Sequence, residues 1–160
     1  MAHIKRILME NACYHLMVRG NQKQKVFCCK DDYLVYLSLV GKFKRKYGFK
    51  LYAYCLMPNH VHLLGEISSP PALSKFMHDL SRTYTLYFNN KYEKVGHLWQ
   101  GRFKSKVVVK DSYLYECIKY IEGNPVRSGL SSFVSDYDWS SYHIRVLDKE
   151  DKLLDHLGVF

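Results

Sequence analysis

Two apolar segments, residues 49–56 and 60–67, are separated by only Met57, Pro58 and Asn59. Proline and asparagine favour turns, and a connection this short leaves no room for a crossover helix. The pattern therefore predicts two neighbouring antiparallel strands, around which the other elements of the chain must pack.

Strand-like and helix-like segments alternate on both sides of this pair. Residues 13–18 alternate in the manner of a strand, and residues 104–109 are rich in β-branched side chains. Helices are predicted from Asp31 and Asp32 to about Tyr47, with Gly48 as the stop, from Pro70 and Pro71 onward, and from Asp111 and Ser112 to Pro125. This order predicts an α+β fold, a ferredoxin-like βαββαβ antiparallel sheet with helices on one face, followed by a C-terminal helix that bears Tyr120. Residues 131–160 are expected to be irregular, with short helical pieces.

The composition is that of an ordinary globular protein. The chain has 160 residues, of which 48% are hydrophobic and 24% charged, so residues 1–160 are interpreted as one domain. No apolar run approaches the roughly 20 residues that a membrane-spanning helix needs, and the N-terminus lacks a secretory signal pattern. We therefore expect a cytoplasmic protein with no membrane partner.

The five cysteines are odd in number and form no CxxC pair. This usage favours reduced thiols over a disulfide framework or a zinc ribbon. Cys55 and Cys117 fall at apolar positions of predicted elements, so we expect them to be small core residues.

The chain is strongly basic, with 24 Lys and Arg against 15 Asp and Glu and a net charge of +9. The excess recurs along the chain, in the first helix at residues 42–46 and again at residues 102–106. Such a surface attracts polyanions, and nucleic acid is the usual intracellular one. Charge alone does not distinguish a nucleic-acid-binding protein from a merely soluble basic protein.

His60 and His62 form a His-x-His pair in the second strand of the central pair. Alternate residues of a strand point to the same face, which places the two imidazoles side by side, about 6–7 Å apart at Cα. They are close enough to share one metal ion, while Val61 points into the core. Two surface histidines on a solvated strand are the alternative interpretation.

Tyr120 and Asn124 lie four residues apart near the end of the third predicted helix, on the stripe beside its apolar face. A tyrosine oxygen can attack a phosphodiester and form a covalent phosphotyrosine, and a metal ion assists by neutralising the phosphate. Because the chain has 14 tyrosines, only the partner Asn124 selects Tyr120 from the others on these grounds.

Residues 96–104 combine Trp99 and Phe103 with Arg102 and Lys104. Aromatic rings beside cations are the ingredients of single-strand binding. An ordinary loop anchored by aromatic side chains explains the same residues equally well.

Five ordered motifs resemble those of the HUH single-tyrosine transposases. They are YHLMVRGN at 14–21, LMPNHVHLL at 56–64, LWQGRFKS at 98–105, YIEGNPVR at 120–127 followed by Gly129 and Leu130, and YDWSS at 137–141. The nearer branch is the REP-associated tyrosine transposases, domesticated relatives of the IS200-like enzymes. The resemblance covers a core of about residues 13–142 and leaves the tail, 143–160, unassigned. One departure is Gly123, where the family usually carries a large apolar residue.

The resemblance implies a role for each matching residue. Tyr120 would be the nucleophile that forms a 5′-phosphotyrosine link and frees a 3′-hydroxyl, while His60, His62 and Asn124 would bind Mg²⁺ or Mn²⁺. The substrate would be single-stranded DNA next to a hairpin, at REP-like sites, and the enzyme would act as a monomer or a homodimer. The residues expected to contact DNA are Arg19, Lys42, Lys44, Arg45, Trp99, Arg102, Lys104, Lys106 and Arg127.

Two other classes of function remain open on the sequence. A non-catalytic nucleic-acid-binding module on the same sheet explains the charge and the aromatic residues, but leaves the histidine pair and Tyr120 as coincidence. A metal-dependent hydrolase that uses water is disfavoured, because the chain has neither a carboxylate-rich site nor further histidines at ligand spacing.

Overall fold

The computed structural model of the chain describes Met9 and residues 11–109, 112–147 and 151–157. Its strands are β1 (Ala12–Arg19), β2 (Lys50–Met57), β3 (His60–Ile67) and β4 (Lys104–Val108). Its helices are α1 (Lys30–Tyr47), α2 (Pro70–Tyr92), α3 (Ser112–Glu122), α4 (Asn124–Arg127) and α5 (Tyr142–Val146), with 3₁₀ turns at Asn21–Lys23 and Val134–Asp136. The predicted order of elements is confirmed, and Asp111 lies outside the described residues.

The four strands form one antiparallel sheet in the order β2-β3-β1-β4. β1 occupies a central position and pairs with both β3 and β4. β2 and β3 form the hairpin predicted from their short connection. This strand order and the split βαβ connections are those of the ferredoxin-like fold, so the predicted fold class is confirmed.

The alternation of side chains divides the sheet into two faces. On one face, Val61 and Leu63 join a core built with α1 and α2. On the other face, Cys55 and Leu64 pack against Leu114, Ile118 and Ile121 of α3. We refer to this second side as the α3 face. His60 and His62 share the strand parity of Leu64 and therefore belong to the α3 face.

The third helix ends earlier than the sequence predicted. It stops at Glu122, and Asn124 begins the short helix α4 with Pro125 in its first turn. The proline has no N–H to continue the hydrogen-bond ladder of α3. Tyr120 and Asn124 therefore lie on two successive helices, and the expectation of one continuous helix to Pro125 was wrong.

The segment that carries the YDWSS motif connects the end of α3 to the sheet through hydrogen bonds. The buried Glu122 accepts hydrogen bonds from Ser141 Oγ at 2.6 Å and Arg145 Nη2 at 2.6 Å. Arg145 also donates to the carbonyl of Tyr52 in β2 at 2.9 Å. Among the described residues this motif thus has a structural role in holding α3 against β2.

Lys44 is buried in the structure and does not form part of the cationic surface. Its ammonium donates to the carbonyl of Leu153 at 2.7 Å and forms an ion pair with Asp155 at 2.5 Å. The same carboxylate accepts from the N–H of Leu51 at 2.8 Å. The prediction that Lys44 contacts DNA was therefore wrong, because its ammonium is buried and holds the C-terminal segment through Leu153 and Asp155.

All five cysteines are free, and Cys55 is buried while Cys117 is partly buried, as their apolar positions predicted. None of the described helices combines the length and the apolar character needed to cross a bilayer.

A buried carboxylate fixes the start of α1 against the end of α2. Asp32, which is fully buried, accepts from the N–H of Cys28 at 2.8 Å and from Tyr87 and Lys91 at 2.8 and 2.9 Å. Burial by itself raises the pKa of Asp32, but hydrogen bonds from Tyr92, Lys91 and the backbone outweigh it and hold that pKa well below its ordinary value.

We predict that Asp32→Asn lowers the free energy of unfolding by about 3 kcal/mol at pH 7, because it leaves a buried set of donors without their charged acceptor. Urea unfolding monitored by circular dichroism measures the change. A carboxylate with a depressed folded-state pKa contributes stability that is complete above its unfolded value of about 3.9 and is lost as the pH falls below it. The difference between the two proteins should therefore shrink below about pH 4.

Asp31→Asn is the matched control, because Asp31 is exposed in the same helical turn. Its substitution should cost less than about 1 kcal/mol, the usual size of a charge–dipole interaction at a helix start. Equal losses for the two variants at pH 7 would show that the buried network has no special role.

Candidate functional site

His60 and His62 stand side by side on the α3 face of β3, as the strand pattern predicted. Their ring centroids are 5.0 Å apart and the rings are nearly perpendicular. His62 is 4% exposed, and His60 is half-buried at the start of the strand. The pair therefore forms a recessed position at the end of the β2–β3 hairpin.

Each of these imidazoles is held through its Nδ1 atom. His60 Nδ1 lies 2.7 Å from Asn59 Oδ1. Because an amide oxygen only accepts, His60 Nδ1 carries the proton and Nε2 keeps its lone pair. His62 Nδ1 lies 2.8 Å from Nε2 of His15, a residue of β1. In both rings this hydrogen bond uses Nδ1 and leaves Nε2 outside it.

The histidines of this cluster are neutral at physiological pH. Burial is the main cause that lowers the pKa of His62 to about 3, and the neighbouring His15 and His60 add to it. Burial, followed by the charge of Arg19, lowers the pKa of His60. Burial, followed by the charge of Lys106, lowers the pKa of His15. Neutral imidazoles are the form in which histidine binds metal ions.

Tyr120 approaches this cluster from α3. The apolar stripe of the helix is buried against the sheet, which leaves Tyr120 53% exposed on the adjacent stripe. Its ring centroid is 6.4 Å from that of His15. The nucleophile candidate and the histidine cluster are thus brought together within a single chain.

A groove of about 780 Å³ runs beside Tyr120 between α3 and β4. Its lining includes His15, Lys106, Tyr113 and Glu116. The groove is open to solvent and is bordered by the edge strand β4 on one side and by the Tyr120 ring on the other.

Asn124 lies just after α3, at the first position of α4, and is half-buried. Among the described residues, no three His, Cys, Asp or Glu side chains come together as a metal site. The assignment of Asn124 as a third ligand beside the two histidines stays a prediction.

The predicted DNA-contacting cations divide between the two faces of the molecule. The pairing of β1 with β4 sets Lys104 opposite Met17 and Lys106 opposite His15, so both lysines lie on the α3 face with Arg19 of β1. Arg102 lines a small cleft with Arg19 and Lys104. Lys42 and Arg45 are exposed on α1, on the opposite side of the sheet.

Trp99 is half-buried and packs against the core. Its ring lies 6.3 Å from that of Tyr36 and 6.1 Å from that of Tyr84. Its indole N–H donates to the carbonyl of Ser81 at 3.4 Å. These contacts favour the interpretation of Trp99 as an anchor of the 96–103 loop, and its contact with DNA stays a prediction.

Sequence reasoning missed His15 and Asn59 as parts of the site. Asn59 directly precedes His60 in the chain, so its position in the turn was an available signal. His15 is 47 residues from His62 along the chain. Strand alternation puts His15 on one face of β1, but only the pairing of β1 with β3 brings it to His62.

The chain matches the family model of IS200-like transposases over residues 8–124. A Haemophilus influenzae protein with the provisional description of REP-associated tyrosine transposase is 30% identical in an alignment of 155 residues. The match covers 89% of this chain and 86% of that protein.

Two solved structures share the fold. The structure of a REP-associated tyrosine transposase bound to a REP hairpin superposes with a TM-score of 0.73 at 20% identity, over 98% of this chain and 95% of the other. A transposase of Deinococcus radiodurans, also provisionally described, gives a TM-score of 0.52 at 18% identity, over 76% of this chain and 97% of the other. The chain therefore belongs to the IS200-like transposase family, on the REP-associated tyrosine branch that its five motifs predicted.

Proposed function

We propose that this chain cleaves and rejoins single-stranded DNA through a covalent 5′-phosphotyrosine at Tyr120, with a divalent metal ion bound at His60 and His62. The observation that carries the proposal is the meeting of Tyr120 with the histidine cluster on one face of the sheet. Because Tyr120 and the histidines meet within one chain, the arrangement supports cleavage by a monomer.

The donor set fits a divalent ion. His60 keeps a lone pair on Nε2 because its Nδ1 donates to Asn59, and the lowered pKa values of His60 and His62 keep both rings neutral. Asn124 would add an amide oxygen. Mg²⁺ or Mn²⁺ held by these residues would neutralise phosphate charge and stabilise the leaving oxygen.

The chain's own residues supply the attack. Tyr120 Oη would form a bond to the phosphorus while the bond from phosphorus to the 3′ oxygen breaks and its electron pair leaves with that oxygen. The phenol loses its proton to solvent, and the 3′ oxygen gains one. The covalent link conserves the energy of the broken phosphodiester, so the reverse step needs no external energy source.

The substrate would be single-stranded DNA next to a hairpin. The strand would lie along the groove beside Tyr120, which Lys106 lines on the β4 side. Arg19, Arg102 and Lys104 converge at the neighbouring cleft, where they would bind further phosphates. The hairpin that accompanies the related solved structure supports this choice of substrate.

A non-catalytic binding module is the remaining alternative from another class. It would use the same cations, but it gives no reason for the neutral, recessed histidine pair beside a half-exposed tyrosine. A metal-dependent hydrolase would release free DNA ends without a covalent intermediate.

Tyr120→Phe should abolish the covalent adduct with labelled, hairpin-flanked single-stranded DNA in Mn²⁺, because it removes the attacking oxygen and keeps the ring. Adducts are counted on denaturing gels, and DNA affinity should stay unchanged. Tyr113→Phe, which alters an exposed ring lining the same groove, is the control and should retain the adduct. An adduct with Tyr120→Phe would mean that another residue is the nucleophile.

If the wild-type protein binds DNA in a gel-shift assay without forming an adduct, the binding module is the better interpretation.

His62→Ala should reduce cleavage by at least about a hundredfold and weaken Mn²⁺ binding measured by calorimetry, because one of two imidazole donors is lost. DNA affinity without metal should change little, since it depends on dispersed cations. His78→Ala is the control, because His78 is exposed on α2, on the other face of the sheet. If His62→Ala cleaves DNA at the wild-type rate, His60 and His62 have only a structural role.

DNA affinity should fall steeply with salt, because each neutralised phosphate of a single strand contributes about −0.7 to the log–log slope. Lys104→Ala and Lys106→Ala should each reduce the magnitude of the slope by about that amount. Lys42→Ala tests the contact expected on the far side of the sheet. The slope stays unchanged if a short single strand binds on the α3 face alone, and its magnitude falls by a similar amount if Lys42 also binds phosphate. Equal effects of all three would indicate contacts on both faces, and a slope near zero would contradict nucleic-acid binding.

A further inference from the structure

Arg127 is placed directly on the candidate nucleophile. Its guanidinium carbon lies 4.0 Å from the centroid of the Tyr120 ring, within the range of a cation–π contact. Its Nη2 also donates to the backbone carbonyl of Tyr120. One side chain therefore contacts both the ring and the backbone of the same residue.

The near-helical course of the chain from α3 into α4 produces this contact. The chain stays helical enough for the N–H of Gly123 to bond to Lys119 and the N–H of Arg127 to bond to Gly123. Residues 120, 123 and 127 therefore lie along one side of the two helices. The side chain of Arg127 runs back along that side, over Gly123, to reach Tyr120.

Glycine at position 123 leaves the room that this path needs. A Cβ atom there would lie 2.9 Å from Nη1 of Arg127 and 2.9 Å from the carbonyl oxygen of Lys119. Both separations are shorter than a carbon atom tolerates without displacement of its neighbour. The unusual residue of the YIEGNPVR segment thus has two physical reasons, the closeness of the Lys119 carbonyl and the passage of the arginine.

The guanidinium also lies within electrostatic reach of the histidine cluster. Its positive charge is among the causes, after burial, that lower the pKa of His62. Arg127 therefore contacts the nucleophile candidate and acts electrostatically on one of the metal-ligand candidates. An arginine carries five N–H donors. The hydrogen bond to the Tyr120 carbonyl employs Nη2, and the Arg127 side chain is exposed to solvent.

We propose that Arg127 is a catalytic residue of the cleavage step, which orients the Tyr120 ring and binds a non-bridging oxygen of the scissile phosphate, and that Gly123 allows it to do so. The role rests on the proposed function. As Tyr120 Oη bonds to phosphorus and the bond to the 3′ oxygen breaks, charge on the non-bridging oxygens is stabilised by guanidinium N–H donors. The same contact would persist in the phosphotyrosine.

Arg127→Ala should lower the single-turnover rate of adduct formation at saturating DNA by about a hundredfold, the usual effect of removing one donor from a charged transition state. DNA affinity without metal, measured by fluorescence anisotropy, should change by less than about threefold, because one of several cations is lost. Arg127→Lys keeps a charge and most of the stem but not the planar fork, so it should recover little of the rate. Millimolar guanidinium should partly restore Arg127→Ala, which a purely structural role would not predict.

Gly123→Ala tests the path of the side chain through a double-mutant cycle. Alone, it should slow adduct formation about tenfold, because the added methyl displaces the guanidinium. In the Arg127→Ala background its effect should be smaller, because only the contact of the added methyl with the Lys119 carbonyl remains. If the fold-changes of the two single variants multiply in the double variant, Gly123 acts independently of Arg127, and that part of the proposal is overturned.

Lys119→Ala, which removes an exposed cation of α3 beside Tyr120, is the matched control and should leave the rate near that of the wild type. Thermal unfolding of each variant checks that it folds. If Arg127→Ala does not fold, Arg127→Lys still tests the role of the guanidinium. If the wild-type protein forms the adduct and Arg127→Lys and Arg127→Ala form it as fast, the role of Arg127 is wrong while the proposed function stands. If the wild-type protein forms no adduct, the proposed function fails and this role falls with it.

Discussion

The antiparallel pairing of β1 with β3 is the constraint on which the rest of the site depends. It sets Arg19 opposite His60 and Met17 opposite His62, and it brings His15 diagonally to His62. A slip of one residue would turn these side chains to the other face. The register is held by Val61 and Leu63, which must stay buried against α1 and α2, and burial of each such side chain is worth about 1.5–3 kcal/mol. The hydrophobic effect on one face thereby fixes the chemistry on the other.

The second layer of the site is α3, whose buried stripe leaves Tyr120 exposed above the histidines. Its end is held by the buried Glu122 with Ser141 and Arg145. The helix ends before Pro125, and the chain continues on a near-helical course into the short α4, which sets Arg127 over the tyrosine ring.

The positively charged side chains fall into two groups, those that form ion pairs within the fold and those that line the α3 face. Lys44 and Lys91 neutralise buried or partly buried carboxylates, so they stabilise the fold. Arg19, Lys104 and Lys106 line the α3 face and are available to phosphates. The histidines between them are neutral because burial disfavours their protonated forms. The proposed cleavage therefore combines a neutral metal-binding position with cations at its border, so that DNA affinity and catalysis can be altered by different substitutions.

The sequence alone determined the order of the elements, because strand alternation, helical spacing and the short turn at Met57, Pro58 and Asn59 are local properties of the chain. It also determined that His60 and His62 share a face and that Tyr120 lies beside the apolar stripe of its helix. Only the tertiary structure decided which cations are free. Lys44 has the same local pattern as its neighbours, and its burial depends on Asp155, which is 111 residues away. The path of Arg127 over Gly123 depends on the near-helical course of residues 119–127 after the end of α3. The contact of His15 with His62 was decided by strand register, since it depends on how separate segments pack in space.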